Sequence, residues 1–174
     1  LECQDMFRET GIFRDVLLYQ FDKTDILDYE MKTKKEKNGN YTLTVTASVF
    51  GETDGYTLSA VLYDGDTVLA QTTVDAAAQT GLSFTDLAVT EWNAEVPTVY
   101  DLLLTLKNGN ETVSAVRNVT GFKRVTIDGD VFKFNGKAIK MKGVNHHDSH
   151  PVTGYVMTAQ DIVKDLTLMK QYNV

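Results

Sequence analysis

The sequence predicts a mainly β fold: an antiparallel β-sandwich, then one strand–loop–helix unit of the α/β kind. Three observations carry that prediction. Residues of about 22–120 hold six or seven short period-two segments at regular spacing, with no helical stripe among them. Asp64-Gly65 and Asn108-Gly109 fall between such segments, where hairpin turns need residues that tolerate positive φ. Beyond Pro151 the apolar period becomes helical, through Ile162, Val163, Leu166, Met169 and Tyr172.

The strands come in order. Tyr41, Leu43, Val45, Ala47 and Val49 alternate with Thr42, Thr44, Thr46 and Ser48, so one face is apolar and the other carries hydroxyls. Tyr56, Leu58, Ala60 and Leu62 repeat the pattern, and Val68–Val74 returns after the Asp64-Gly65 turn. Leu82–Val89 is the next strand expected. Tyr100, Leu102, Leu104 and Leu106 alternate clearly, and Glu111–Val119 pairs back across Asn108-Gly109. This count and spacing suit an immunoglobulin-like sandwich in architecture, without a cysteine pair to staple its sheets. Trp92 and Pro97 lie in the loop before Tyr100, and Trp92 reads as an anchor packed on the sandwich edge.

After Gly121 the pattern changes. Val125–Ile127 reads as a short strand. Val131–Phe134, Asn135-Gly136 and Ala138–Val144 read as a tight hairpin whose second strand runs into the histidines. Thr158 is the expected helix N-cap, with Asp161 three residues on as a variant capping box. Lys164 and Lys170 lie off the apolar stripe. One strand and one helix cannot bury both their apolar faces, so the unit reads as the beginning of a larger α/β domain cut short at Val174. The helix is expected to be weakly held, domain-swapped or covered in a dimer.

Composition excludes some functions. The 174 residues are 43% hydrophobic and 24% charged, so a packed core rather than a long disordered tail makes up most of the chain. Net charge is −7, with Lys and Arg scattered; no basic stripe is present to neutralise phosphates, which disfavours nucleic-acid partners. No stretch reaches the roughly 20 apolar residues of a membrane span. No signal peptide is visible, and Cys3, a single cysteine, suits a reducing compartment. A cytoplasmic location is expected, with a secreted or periplasmic one left open because the chain starts at Leu1. Asn40-Tyr41-Thr42, Asn110-Glu111-Thr112 and Asn118-Val119-Thr120 are sequons that matter only in a glycosylating host.

The chemistry concentrates in Gly143–Pro151, which holds all three histidines, His146, His147 and His150, with Asp148 among them. If Lys140–His147 is extended, Met141, Gly143, Asn145 and His147 share one side, and Lys142, Val144 and His146 the other. Adjacent His146 and His147 then do not easily ligate one metal, whereas His147 with His150 across Asp148 could, on a loop. A zinc site wants three or four ligands at motif spacing, and no further His or helpful Cys exists here. Ser149 has no recognisable base and elbow around it, which argues against a nucleophile. Polar residues satisfied by backbone and water at a strand end are one remaining reading. The other is a binding edge: the carboxyl end of such a strand is where α/β enzymes hold substrates. Asn145 and His147 there offer neutral donors and acceptors suited to hydroxyl groups. At the other end, Gln4–Val16 interleaves Asp5, Arg8, Glu9, Arg14 and Asp15 with Met6, Phe7, Ile12 and Phe13. The plain reading is an edge segment whose charges pair with one another.

An ordered set of motifs spans nearly the whole chain. It comprises Gln4–Arg8, Gly11–Val16, Trp92–Pro97, Gly121-Phe122 and Asn135–Lys137, then Lys142–Asp148 with His150-Pro151, and Lys164–Gln171. Together these resemble the β-galactosidases of glycoside hydrolase family 2. The departures are Cys3 where an acidic residue is common, Phe7 where Trp is common, and His146 where Arg is frequent.

The resemblance implies a fold class: an immunoglobulin-like antiparallel β-sandwich followed by the truncated start, a β-hairpin, strand and helix, of a (β/α)8 barrel. It divides the chain into residues 1–21, the tail of a sugar-binding-type sandwich; 22–120, the immunoglobulin-like domain; and 121–174, the beginning of the catalytic barrel. It implies that His147 contacts galactosyl hydroxyls, with Asn145 beside it. It implies that Asp5 reaches the same pocket and, in some members, ligates sodium. His150 and Asp148 are then read as shaping the loop. The parent enzyme is implied to be a retaining glycosidase, a homo-oligomer using magnesium and sodium, with a β-galactoside as substrate. Its two catalytic glutamates and magnesium ligands are expected beyond Val174, so the fragment alone is expected to be inactive. A β-glucuronidase or β-mannosidase of the same family is the nearest alternative. A non-catalytic carbohydrate-binding module sharing the sandwich is the other.

Overall fold

Seven strands make the sandwich: β1 (Asp25–Lys35), β2 (Tyr41–Phe50), β3 (Tyr56–Asp64), β4 (Thr67–Asp75), β5 (Gln79–Leu87), β6 (Tyr100–Asn108) and β7 (Glu111–Thr120). The computed structural model describes residues 10–174. The strands pair antiparallel in two sheets, β1-β2-β5 and β4-β3-β6-β7. The alternation seen in the sequence decides which side chains meet between them. Tyr41, Leu43, Val45, Ala47 and Val49 of β2 are buried in one core with Leu58, Ala60 and Leu62 of β3 and Leu102, Leu104 and Leu106 of β6. A fully buried Leu or Val is stabilised by about 1.5–3 kcal/mol relative to exposure, so these central strands hold most of the fold's apolar stabilisation.

Two departures from the sequence reading have the same cause. Strand β1 lies in a stretch to which periodicity assigned no strand. It is a sheet edge where Ile26 alone is fully buried, and its register breaks between Ile26 and Asp28. A charged, bulged edge hides period two and also resists pairing with other chains. Strand β5 runs from Gln79 to Leu87 instead of Leu82 to Val89. Leu87 pairs with Tyr41 and Phe84 with Leu43, so β5 carries one extra residue there. Asp86 takes φ 58° in that bulge, and its carboxylate accepts from the amides of Asn38 (2.9 Å) and Asn40 (2.7 Å). The bulge returns Leu87 to the core side despite its odd spacing from Phe84.

One end of the sandwich is closed by aromatic residues. Phe122 comes just after β7 and is fully buried. Its ring stands edge-on to Tyr41 (5.4 Å between centroids) and Tyr100 (5.3 Å). Tyr100 accepts from the Thr90 N–H at 2.8 Å, and Tyr41 donates to Glu91 at 2.8 Å. Lys35 donates to the same Glu91 oxygen at 2.6 Å. Glu91 pairs in parallel with Phe122, and the Trp92 N–H donates to the Phe122 carbonyl at 2.8 Å.

Trp92 is the anchor expected, and it also reaches beyond the sandwich. A small sheet of β8 (Val125–Asp128), β9 (Val131–Phe134) and β10 (Lys137–Ala138) comes next, in the order β10-β9-β8. Its second turn is Asn135-Gly136, with φ 47° and 81°, the left-handed pair that the two-residue hairpin demands. Asn135 accepts from the Arg124 N–H (2.8 Å) and donates to the Trp92 carbonyl (3.0 Å), while the Trp92 ring meets Phe134 edge-on at 5.7 Å. A Cβ on Gly121 would stand 3.1 Å from three Trp92 side-chain atoms, which is why glycine suits the passage past the indole.

The expected second hairpin strand through the histidines does not form. β10 ends at Ala138, and residues 140–149 join no sheet among the described residues. An extended run needs neighbouring strands for its N–H and C=O groups, and β9 serves it only as far as the hairpin reaches. Residues 20–139 form one compact unit. Residues 10–19 and 140–174 form a second, containing the helix α1 (Ala159–Gln171).

The Lys35 ammonium, and after it the Tyr41 hydroxyl, hold the Glu91 carboxyl below the usual carboxylate range. Burial, and then that carboxylate, push the Tyr41 hydroxyl up. A carboxyl whose folded pKa is depressed stabilises the fold above its unfolded value, about 4.3, and loses that contribution as pH falls through the folded one. Denaturant unfolding of Glu91→Gln should therefore lose less stability between about pH 5 and 3 than the wild type. Parallel acid limbs for the two proteins would contradict the assignment.

Candidate functional site

The second unit is built around α1 and the loop before it. Thr158 caps the helix as its sequence suggested: its hydroxyl accepts from the Asp161 N–H at 3.2 Å, and the Asp161 carboxylate accepts from the Thr158 N–H at 2.9 Å. The Thr158 N–H, and after it the Thr158 hydroxyl donating at 2.7 Å, hold the Asp161 carboxyl below its usual range. The expected stripe is present, but α1 has no fully buried residue, and Val163, Leu166 and Tyr172 are exposed. Tertiary packing gives a short helix most of its stability, so the cap matters more here than in a buried helix.

The three histidines take separate positions. The ring nitrogens of His146 lie 3.5 Å from Asp148 and 3.5 Å from Asp165 on α1, linking the loop to the helix. His150 shapes the next turn. Its Nδ1 accepts from the N–H groups of Val152 and Thr153, both at 3.2 Å, and its backbone pairs with Gly154 in both directions, at 2.7 and 3.0 Å. His147 is exposed, as is Asn145. The His147 carbonyl accepts from the Ser149 N–H at 2.8 Å, which tightens the chain directly after it. The two-sided strand expected for 140–147 is absent, and Met141, Gly143, Asn145 and His147 are all exposed. Asp5, Arg8 and Glu9 lie outside the described residues, so the meeting of Asp5 with His147 is not part of this geometry.

The segment holding Phe13 and Arg14 has a partner that sequence spacing did not show. Arg14 Nη2 donates to the Tyr155 carbonyl at 3.0 Å, and the Phe13 and Tyr155 rings lie 6.0 Å apart. The Arg14 guanidinium thus bonds a distant backbone carbonyl, while Asp5 and Glu9, among its expected charge partners, lie outside the described residues. Phe13, Arg14, Asp15, Asp148, Tyr155 and Ile162 line a cleft of about 510 Å³. Arg14 and Tyr155 stand 141 positions apart, and no local signal connects them. The cleft mixes aromatic surface with charged and carbonyl groups, a surface able to hold a polar ligand with apolar ring faces. Among the described residues no three His, Cys, Asp or Glu side chains cluster to hold a metal ion.

Comparison with known proteins decides the family. Residues 24–123 match the family described as "Glycosyl hydrolases family 2", and residues 125–174 match "Glycosyl hydrolases family 2, TIM barrel domain". The chain belongs to glycosyl hydrolase family 2. Its sandwich is thus the family's sandwich domain, and residues 125–174 are the start of the family's TIM barrel domain. A β-galactosidase of Streptococcus thermophilus is 32% identical over 100% of this chain and 17% of its own length. One from Priestia megaterium is 33% identical over 100% and 18%. The chain thus spans about a sixth of the length of these family 2 relatives. Among solved structures, a β-glucuronidase from Ruminococcus gnavus aligns with TM-score 0.72 at 17% identity, over 85% of this chain and 24% of its own. The Bifidobacterium dentium β-glucuronidase aligns with TM-score 0.72 at 22% identity, over 85% and 26%. At those identities the likeness is one of fold. No helix among the described residues is long and apolar enough to cross a membrane.

The capping box makes a local prediction. Thr158→Ala should cost α1 about 1 kcal/mol and raise amide exchange in its first turn, while leaving exchange in β2 and β6 unchanged. Unchanged exchange at Asp161 and Ile162 would show that the cap does not hold the helix.

Proposed function

We propose that this chain is part of a β-galactosidase, a retaining enzyme that removes terminal non-reducing β-D-galactose. The observation that carries the reading is the 31–33% identity to β-galactosidases from four bacteria, running over 99–100% of this chain. The chemistry of the histidine segment supports it. Asn145 and His147 are exposed groups that can both donate and accept, which suits sugar hydroxyls. A glucuronide presents a carboxylate, for which a bidentate arginine would be the better partner. Neither Asn145 nor His147 supplies one.

In this reading His147 and Asn145 form one wall of the galactose pocket, and Asp5 approaches from the residues that precede the sandwich. A neutral imidazole between two hydroxyls accepts from one and donates to the other, and so fixes the ring face presented for reaction. Retaining hydrolysis needs one carboxylic acid to protonate the leaving oxygen and a carboxylate to attack the anomeric carbon, about 5–5.5 Å apart. We assign both to glutamates elsewhere in the whole protein and neither to an acid of these 174 residues. The magnesium site and the homo-oligomeric assembly are likewise proposed for the whole protein, with Asp5 as a sodium ligand.

The purified 174-residue chain should release no chromophore from an aryl β-galactoside. In the whole protein, aryl β-galactoside should be turned over in preference to aryl β-glucuronide and β-mannoside. There, His147→Ala should lower kcat/KM by about ten- to a hundredfold, the loss of one or two well-placed hydrogen bonds. Turnover by the 174-residue chain would overturn the assignment of the carboxylates, and a preference for glucuronide would overturn the substrate.

A further inference from the structure

We infer that His150 is a positioning residue, which sets the backbone of the sugar-contacting His147 by closing the turn after it. This role rests on the reading of His147 as a sugar contact. The ring of His150 points its Nδ1 back at its own chain and accepts two backbone N–H bonds, from Val152 and Thr153, at 3.2 Å each. The neutral ring therefore carries its proton on Nε2, because a nitrogen that accepts two bonds has no proton to give. The backbone of His150 meanwhile exchanges two hydrogen bonds with Gly154, at 2.7 and 3.0 Å. Gly154 sits at φ 63°, which a residue with a Cβ rarely adopts, and Pro151 fixes the φ next to His150. The Thr153 hydroxyl closes the far side by donating to the Val156 carbonyl at 2.6 Å.

The turn is thus held at both ends and through its middle. It connects to His147 by two residues, and the Ser149 N–H on the His147 carbonyl (2.8 Å) takes up the slack between them. The ring of His150 stands in for the side chain of Asn or Asp, whose Oδ1 occupies nearly the same place as a histidine Nδ1 and makes the same bonds to the second and third N–H groups along the chain. That equivalence separates positioning from contact. If His150 acts through its turn, asparagine replaces it; if it touches substrate through Nε2, asparagine does not.

The test uses the whole protein carrying His150→Ala or His150→Asn, assayed on whichever aryl glycoside the wild type hydrolyses. His150→Ala should lower kcat/KM by about ten- to a hundredfold, the scale of a misplaced binding group. It should also speed amide exchange at Val152 and Thr153. His150→Asn should stay within about threefold of wild type and keep those amides protected. An asparagine variant as impaired as alanine, with its amides still protected, would overturn positioning in favour of direct contact. An alanine variant with wild-type kinetics would overturn positioning and direct contact alike. If the wild type hydrolyses neither galactoside nor glucuronide, the sugar-pocket reading fails first, and the role of His150 fails with it. Comparing the wild type with His150→Ala therefore tells the two failures apart.

Discussion

The sandwich depends on how Phe122 is held. This fully buried ring, two residues past the end of β7, is enclosed by Tyr41 from one sheet and Tyr100 from the other. Each tyrosine keeps its ring in the core and its hydroxyl at the rim, where it engages the segment holding Thr90 and Glu91. Such residues join two requirements that usually conflict, apolar burial and polar satisfaction, because the two ends of the side chain face different surroundings. The pairing of Glu91 with Phe122 then makes the loop before β6 and the exit from β7 one structure.

That junction also fixes what comes next. Trp92 presses on Gly121, meets Phe134 edge-on and offers its carbonyl to Asn135. The small sheet of β8–β10 is thereby registered to the sandwich by one indole, one amide side chain and one glycine. A meander this small is marginal alone, so its order derives from those contacts. The family's barrel domain therefore begins on residues whose geometry the sandwich has already set.

Around the histidines the controlling interactions are polar and local. His146 faces carboxylates, His150 serves its own turn, and His147 is exposed between them. The distribution of roles reflects which groups each ring can reach. Helix α1 comes after, and its complete capping box fixes where it starts.

What the sequence alone determined was the material that repeats. Period two placed the interiors of β2, β3 and β6, Asn135-Gly136 placed its turn, and Thr158 with Asp161 placed the start of α1, because each signal is complete within a few residues. The turns expected at Asp64-Gly65 and Asn108-Gly109 fall one residue later, at Gly65-Asp66 and Gly109-Asn110, because Asp64 and Asn108 pair within their strands. Motif order then carried the family, and with it His147 and Asn145 as candidates. Tertiary structure decided β1, whose charged edge needs β2 beside it to be a strand, and the end of β5, where the Asp86 bulge reverses the facing of Leu87. It also decided that residues 140–149 are not a strand, since extended backbone requires neighbours. And it joined Arg14 to the Tyr155 carbonyl across 141 positions. Those outcomes depend on which distant groups satisfy a backbone or close a surface, and no local pattern in the chain encodes that choice.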